Sequence, residues 1–366
     1  MSEPKEIYTT RTGPWGKLEY YYSYLDSPDG FFRSSTRETT EWGFIGHNRG
    51  QVEDFLFGCG VDVTELNRDC RWIEAQNGTI VSPSNRFVAT LSAEVRQTLY
   101  PAHLKLMENA THLNEFVIER SAYRENTMGL NIPEEIIKLV EERSVKMGKK
   151  TIFTETAFAL SQIPDPTMKL KFLKSLARNR AVLAKLRITP DSDVEKIASW
   201  WKAGPNRTRS LPLLENALRI PGGDSVDIIH LLPPVPRQLL NTFPTDTDEF
   251  DGRKPDCYWA AMNFFSETAS NRYLDKSLPR EYYFLERFKR LPRGSIPQFG
   301  DAVILADRKR NHFVHAYVHI ADDIVYTKNG KGKIFPYILM RRDDLISRYQ
   351  DSSDLGTDIY RLKTLN

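Results

Sequence analysis

The spacing of apolar and polar positions changes period several times along the chain, and each change marks a different kind of element. The clearest helical signals fall between residues 131 and 204. Asn131, Pro133 and Glu134-Glu135 make a helix start, with proline near the first turn and acids facing the positive end of the dipole. Ile136, Ile137, Val140 and Met147 follow on one face, and Gly148 suits a stop. The same signals predict helices over 154–161 and 167–186. A further one starts at Asp191 or Ser192, buries Val194, Ile197, Ala198 and Trp201, and ends at Gly204-Pro205.

Residues 1–130 are less regular. The first fifty read as loops, with short extended or helical pieces around Leu18–Leu25. Val52, Phe55, Leu56 and Phe57 form an apolar group that breaks at Gly58-Cys59-Gly60, and 86–121 read as mostly helical with an interruption at Pro101. Residues 205–249 carry Pro205, Pro212, Pro221, Pro233-Pro234, Pro236 and Pro244, which predicts a largely extended connector packed on a surface through Leu211, Leu214, Ile228 and Leu231.

From residue 250 the period shifts again. Tyr258, Ala261, Phe264 and Phe265 predict a helix over 257–268, and a charged, aromatic helix is expected over 281–291. After the turn at 297–301 come short strands over 302–306, 313–320 and 324–327, with 336–340 continuing the sheet after Asn329-Gly330. The expected class is α+β: a mixed, partly helical region (1–130), a helical module (131–204), a proline-rich connector (205–249), and a C-terminal domain (250–366) with a helix packed on an antiparallel sheet.

Composition narrows the classes of function. With 51 Lys and Arg against 48 Asp and Glu, the net charge is +3, which excludes a polybasic, histone-like protein. A 40% apolar content supports packed cores. The basic run Lys169, Lys171, Lys174, Arg178, Arg180, Lys185 and Arg187 spreads around its predicted helix and reads as a solvated face, so nucleic acid is not an expected partner. No apolar run is long enough for a transmembrane segment, and the start lacks the order of a secretory signal. As read, the chain belongs in the cytoplasm; had a leader been removed, it would be periplasmic or secreted.

Cys59, Cys70 and Cys257 are too few for a disulfide framework. Cys59 and Cys70 have no chemical context beyond packing or pairing with each other, while His103 and His112 read as surface or capping residues. Cys257 is different. It follows Asp256, a residue suited to capping, at a predicted helix start, and a helix N-terminus favours a thiolate. His315 opens a later strand, where an imidazole can serve as base and then as acid to a leaving amine. His319 shares its face of the strand but lies about 13 Å along it, too far for a shared metal ion. No metal or other cofactor is expected.

In order along the chain, Asp256-Cys257 opening an apolar helix, Gly300-Asp301 before a short strand, and His315 opening a hairpinned strand resemble the NlpC/P60 superfamily of papain-like cysteine peptidases and amidases. The resemblance covers about residues 250–350. It implies a papain-like α+β domain acting on peptide or amide bonds, with peptidoglycan peptides as substrates and acyl-transferases among the relatives. It implies Cys257 as nucleophile and His315 as general base and acid. For the third, ring-orienting residue Asn329 is the first choice, then Thr327 and Lys328; an amide can accept from the imidazole N–H, whereas lysine cannot. Tyr258 and Trp259 after the cysteine, and Tyr317 after the histidine, depart from the small residues usual in the family. Three functions follow: a cysteine hydrolase working through a thioester, an acyl-transferase or amidase with the same dyad, and a catalytically inactive binding protein.

Overall fold

The computed structural model describes residues 6–32, 38–106, 116–118, 123–148, 150–202, 210–245, 253–274, 280–309, 312–349 and 355–363. The chain forms two compact units, one of Asp26–Arg178 and one joining Met1–Leu25 to Asn179–Asn366. Residues 131–204 therefore contribute to both units. The fold is mixed α+β throughout.

The unit of Asp26–Arg178 combines its expected helices with strands that its sequence pattern does not announce. It holds two three-stranded antiparallel sheets. One pairs Gly78–Pro83 with both Trp42–Ile45 and Cys70–Ala75; the other pairs Lys150–Phe153 with Phe116–Ile118 and Val145–Met147. Helices Arg49–Gly58, Ala93–Leu106, Glu134–Arg143 and Pro166–Ala177 accompany them. The expected break at Pro101 does not occur, because Leu99, Tyr100 and Leu104 anchor the helix on both sides of it. Leu56, Leu66, Val81 and Phe87 belong to the same apolar core. Glu155 lies beneath it, almost fully buried, accepting from Tyr100 Oη at 2.6 Å and paired with Arg143.

The helix predicted over 167–186 ends at Ala177. Lys169, Lys174 and Arg178 pair with Glu38, Asp29 and Asp26, so three charges of the basic run are held by acids of the same unit. His103, expected at the surface, is half-buried with Nε2 2.8 Å from the Gly43 carbonyl. His112 lies outside the described residues.

Among its described residues the second unit forms two antiparallel sheets. The smaller runs β1 (Tyr8–Thr9), β2 (Lys17–Leu25), β3 (Asn179–Ile188) and β4 (Asp224–Asp227) in sequence order. Residues 17–25, read as short extended or helical pieces among loops, and the end of the helix predicted over 167–186 thus pair as strands, from Lys17 opposite Arg187 to Leu25 opposite Asn179. Val182, Ala184, Leu186 and Ile188 alternate inward along β3, a period-two pattern that the leucine spacing had masked. Helix α1 (Val194–Trp201) stands where the last helix of the module was expected, and the predicted connector after it is also structured, with α2 (Ser210–Arg219) and, after β4, α3 (Pro234–Leu239). Pro212, Pro234 and Pro236 sit in first turns, where a missing N–H costs no helical hydrogen bond, while Pro221 and Pro244 lie outside the helices. Leu214, Ile228 and Leu231 are buried.

The larger sheet carries the predicted C-terminal strands. After α4 (Cys257–Met262) and α5 (Arg280–Arg287) come β5 (Phe288–Arg290), β6 (Ala302–Asp307), β7 (His312–Ala321), β8 (Ile324–Lys328) and β9 (Tyr337–Arg341). Helix α6 (Arg342–Tyr349) and strand β10 (Leu355–Leu362) close the unit. The strand order is β5-β10-β6-β7-β8-β9. Both faces are apolar: Ala302, Ile304, Ala316 and Val318 belong to one cluster with α4, and Val303, Leu305, Tyr317 and Val325 to another. Strand β10, absent from the sequence expectations, is inserted between β5 and β6.

The Gly300-Asp301 pair has a structural role in this sheet. Gly300 has φ +83°, and an added Cβ would lie 2.0 Å from the Phe265 ring. The Asp301 carboxylate accepts from Gln298 N–H at 2.8 Å and from Arg361 of β10 at 2.7 and 2.9 Å. Two backbone hydrogen bonds then tie the turn to His319 of β7.

Candidate active site

Helix α4 begins as its sequence predicts. Asp256 caps it, with Oδ1 accepting from the Tyr258 and Trp259 N–H groups at 3.0 Å each, and so fixes Cys257 in the first turn. The helix ends at Met262, six residues before the predicted limit, because the Asn263 side chain turns the chain through bonds to Trp259 and Ser270. All six of its residues are buried, which is where Tyr258 and Trp259 gain their place. None of the three cysteines is in a disulfide.

A cavity of about 680 Å³ opens between α4 and the end of the larger sheet. Cys257 and His315 both line it, as do Tyr349 and Gly330. Alternation along β7 assigns His315 to the face of Tyr317, whereas Cys257 packs with Ala316 and Val318. Beside His315 the register steps from Leu305–His315 to Ala306–Phe313, a bulge that leaves Val314 unpaired. Such bulges bend a strand and re-aim side chains, and this one stands where the cavity meets β7.

His315 is 1% exposed. Its Nε2 lies 2.8 Å from Thr327 Oγ1 on β8, and its ring stacks on Tyr349 with centroids 4.2 Å apart and planes 18° from parallel. Burial pushes the imidazole pKa down to about 3, with the nearby Arg348 charge acting in the same direction. The ring is therefore neutral at physiological pH. Tyr349 also reaches the cysteine electrostatically: burial raises its phenol well above the ordinary value, and a charge on Cys257 adds to the rise.

Of the three candidates for the orienting residue, Thr327 makes the contact. Asn329 is one step removed, its Oδ1 accepting from the Thr327 hydroxyl at 3.5 Å while its Nδ2 donates to Met340 Sδ at 2.9 Å. If the hydroxyl donates to Asn329, it accepts from Nε2–H, and the proton-accepting nitrogen of the ring is Nδ1. Lys328 is buried with Nζ on the carbonyls of Gly330 and Gly332 at 2.6 and 3.3 Å, so it shapes the following loop.

Sequence reasoning missed Tyr349 and a charged cluster on the cavity wall. Arg290 ends β5, Arg308 follows β6, and Asp358 lies on β10 between those strands. Arg308 grips the Asp358 carboxylate with two nitrogens at 2.8 and 2.9 Å, and Arg290 adds a third contact at 2.7 Å. Burial works against the charge on Asp358, yet the two guanidiniums outweigh it and hold the carboxyl below its ordinary pKa. No local motif announces this cluster, since its members are 18 to 68 positions apart.

His319, the second imidazole of β7, meets the Trp200 indole edge-to-face with centroids 6.1 Å apart, remote from the cavity lining. Among the described residues no three His, Cys, Asp or Glu side chains gather as a metal site, and no helix is long and apolar enough to cross a membrane. No family model matches the chain, and no curated protein or solved structure is significantly similar to it.

Proposed function

We propose that the second unit is a cysteine hydrolase that cleaves a peptide or amide bond through a thioester on Cys257. The observation that carries this reading is a capped cysteine and a buried, oriented histidine lining one cavity. In this scheme the His315 ring accepts the thiol proton as sulfur attacks the carbonyl carbon. It returns that proton to the leaving amine, then activates the water that breaks the thioester. Thr327 holds the ring and is a positioning residue. The NlpC/P60 resemblance in 250–350 supports a papain-like domain and makes peptidoglycan stem peptides the first substrates to try. The same dyad would serve an acyl-transferase or amidase if an amine or another acceptor replaced water.

A second reading, a binding pocket without turnover, is favoured by one observation. An imidazole held neutral by burial and stacked against Tyr349 is a weak base for a thiol. The two are separated by alkylating Cys257 across a range of pH. The hydrolase predicts a reactivity profile displaced from that of a free thiol and altered in His315→Ala; an ordinary midpoint near 8.5, identical in both proteins, supports the binding pocket. New amino termini in purified peptidoglycan, produced by the wild type and not by Cys257→Ala, would establish both the bond class and the substrate.

A further inference from the structure

Tyr349 brings a polar atom to the cavity that the cysteine–histidine pair does not use. Its ring stacks on His315 and packs against the apolar cluster that contains Leu345, fully buried one turn earlier in α6. Ring contacts hold the side chain and leave its polar end uncommitted: among the described residues, the Tyr349 hydroxyl makes no hydrogen bond. A phenol packed this closely ordinarily finds a partner. Tyr349 is nonetheless a lining residue of the cavity shared by Cys257 and His315, and part of its surface stays open. The phenol keeps its proton, because burial and then the charge of Cys257 raise its pKa well above the ordinary value. A neutral donor without a partner thus stands on the same cavity as the thiol.

We propose that Tyr349 is a further catalytic residue, whose hydroxyl donates a hydrogen bond to the carbonyl oxygen of the bond presented to Cys257. The proposal rests on the reading of Cys257 as the nucleophile. As the sulfur–carbon bond forms, the carbonyl π pair moves onto oxygen, which becomes negative. The phenol O–H bonds to that oxygen and keeps its own proton. When the carbon–nitrogen bond breaks, the pair returns to the carbonyl and the amine leaves with the proton carried by His315. A donor of this kind accelerates the reaction if it is in place before the charge develops, and the stack on His315 fixes the ring beforehand. The side chain then has two separable roles. Its ring covers the imidazole, and its hydroxyl serves the substrate, so Tyr349→Phe removes the second and keeps the first.

The test compares two reactions of Cys257 in the full chain, one that forms an oxyanion and one that does not. Acylation by p-nitrophenyl acetate passes through a tetrahedral oxyanion and is read as p-nitrophenolate release beyond that of Cys257→Ala. Alkylation by iodoacetamide displaces iodide at carbon without one and is read by mass spectrometry of the Cys257 peptide. Both rates scale with the thiolate fraction, which cancels from their ratio. The wild-type ratio should exceed that of glutathione in the same buffer, and Tyr349→Phe should lower it by about tenfold or more, with alkylation little changed. A ratio that Tyr349→Phe leaves unchanged overturns the proposal, including the case in which both reactions slow equally because the hydroxyl acts on the sulfur. A wild-type ratio at or below that of glutathione overturns it without recourse to the variant. If the ratio falls in Tyr349→Phe but the pH profile of alkylation is that of a free thiol, the donor stands and the hydrolase fails. If the profile is displaced and the ratio is unchanged, the hydrolase stands and the donor fails. A Cys257 that neither reagent reaches overturns both.

Discussion

The imidazole of His315 and the phenol ring of Tyr349 lie face to face, 4.2 Å between centroids, with Tyr349 in electrostatic reach of Cys257. One side chain from the end of α6 therefore touches the candidate base and senses the candidate nucleophile. Its ring displaces water from the imidazole, the condition that keeps His315 neutral. Replacing Tyr349 with Ala should admit water and raise the His315 pKa by about one unit or more, whereas Tyr349→Phe should leave it near its present value. Proton NMR of the ring C–H groups through an acid titration reads this directly. An equal midpoint in wild type and Tyr349→Ala would remove Tyr349 from the account.

Thr327 and Asn329 make different predictions, because only the first touches the ring. Thr327→Val leaves Nε2 buried without a partner and should cost about 1–3 kcal/mol in urea unfolding. It should also slow any Cys257-dependent turnover by roughly tenfold or more through loss of ring orientation. Thr327→Ser keeps the hydroxyl and should restore most of both, while Asn329→Ala should affect turnover less than Thr327→Val. The opposite order would return the orienting role to Asn329.

Acid stability follows from two buried histidines. Burial holds His315 at about 3 and His319 at about 4, and His319 Nδ1 has no hydrogen-bond partner. In the unfolded chain each ring takes up its proton as the pH falls below about 6.5. Between that value and the folded pKa the unfolded state binds more protons, so stability decreases as the pH falls. The loss from pH 7 to pH 5 is about 2 kcal/mol per ring. His319→Gln should remove roughly half of this acid sensitivity in the unfolding of the second unit, measured by urea midpoints at the two pH values. Parallel loss in wild type and variant would contradict it.

Gly300 is the most constrained glycine of the turn before β6. A side chain there meets both an unfavourable φ of +83° and the Phe265 ring. Gly300→Ala should destabilise the unit by about 2–4 kcal/mol. Adding Phe265→Leu should recover part of that loss, a non-additive result that locates the clash. Simple additivity of the two thermal shifts would mean that backbone strain alone is responsible.

Local chemistry made much of the site's framework legible. Asp256 as a cap, Cys257 in the first turn and His315 on a strand all follow from spacing within a few residues, and the strands over 302–307, 312–321 and 324–328 lie within one or two residues of their expected limits. The errors came where a segment's partner is distant. Residues 179–188 carry leucines at helical spacing and inward alternation at once, and pairing with 17–25 selects the strand. The proline-rich stretch reads as extended because prolines exclude helix interiors, yet Pro212, Pro234 and Pro236 occupy first turns.

The amino-acid sequence by itself determined the mixed α+β character of the chain, the capped start of α4 and the pair of residue types that suggests cysteine chemistry. These depend on neighbours a few positions apart, whose sterics and hydrogen bonds act before any tertiary contact exists. Only the tertiary structure decided that Thr327 rather than Asn329 meets the imidazole, that Tyr349 covers it, and that Arg290, Arg308 and Asp358 share one wall. Burial and electrostatics depend on distances across strands from remote parts of the chain. Those distances are set by sheet order and register, including the insertion of β10 between β5 and β6.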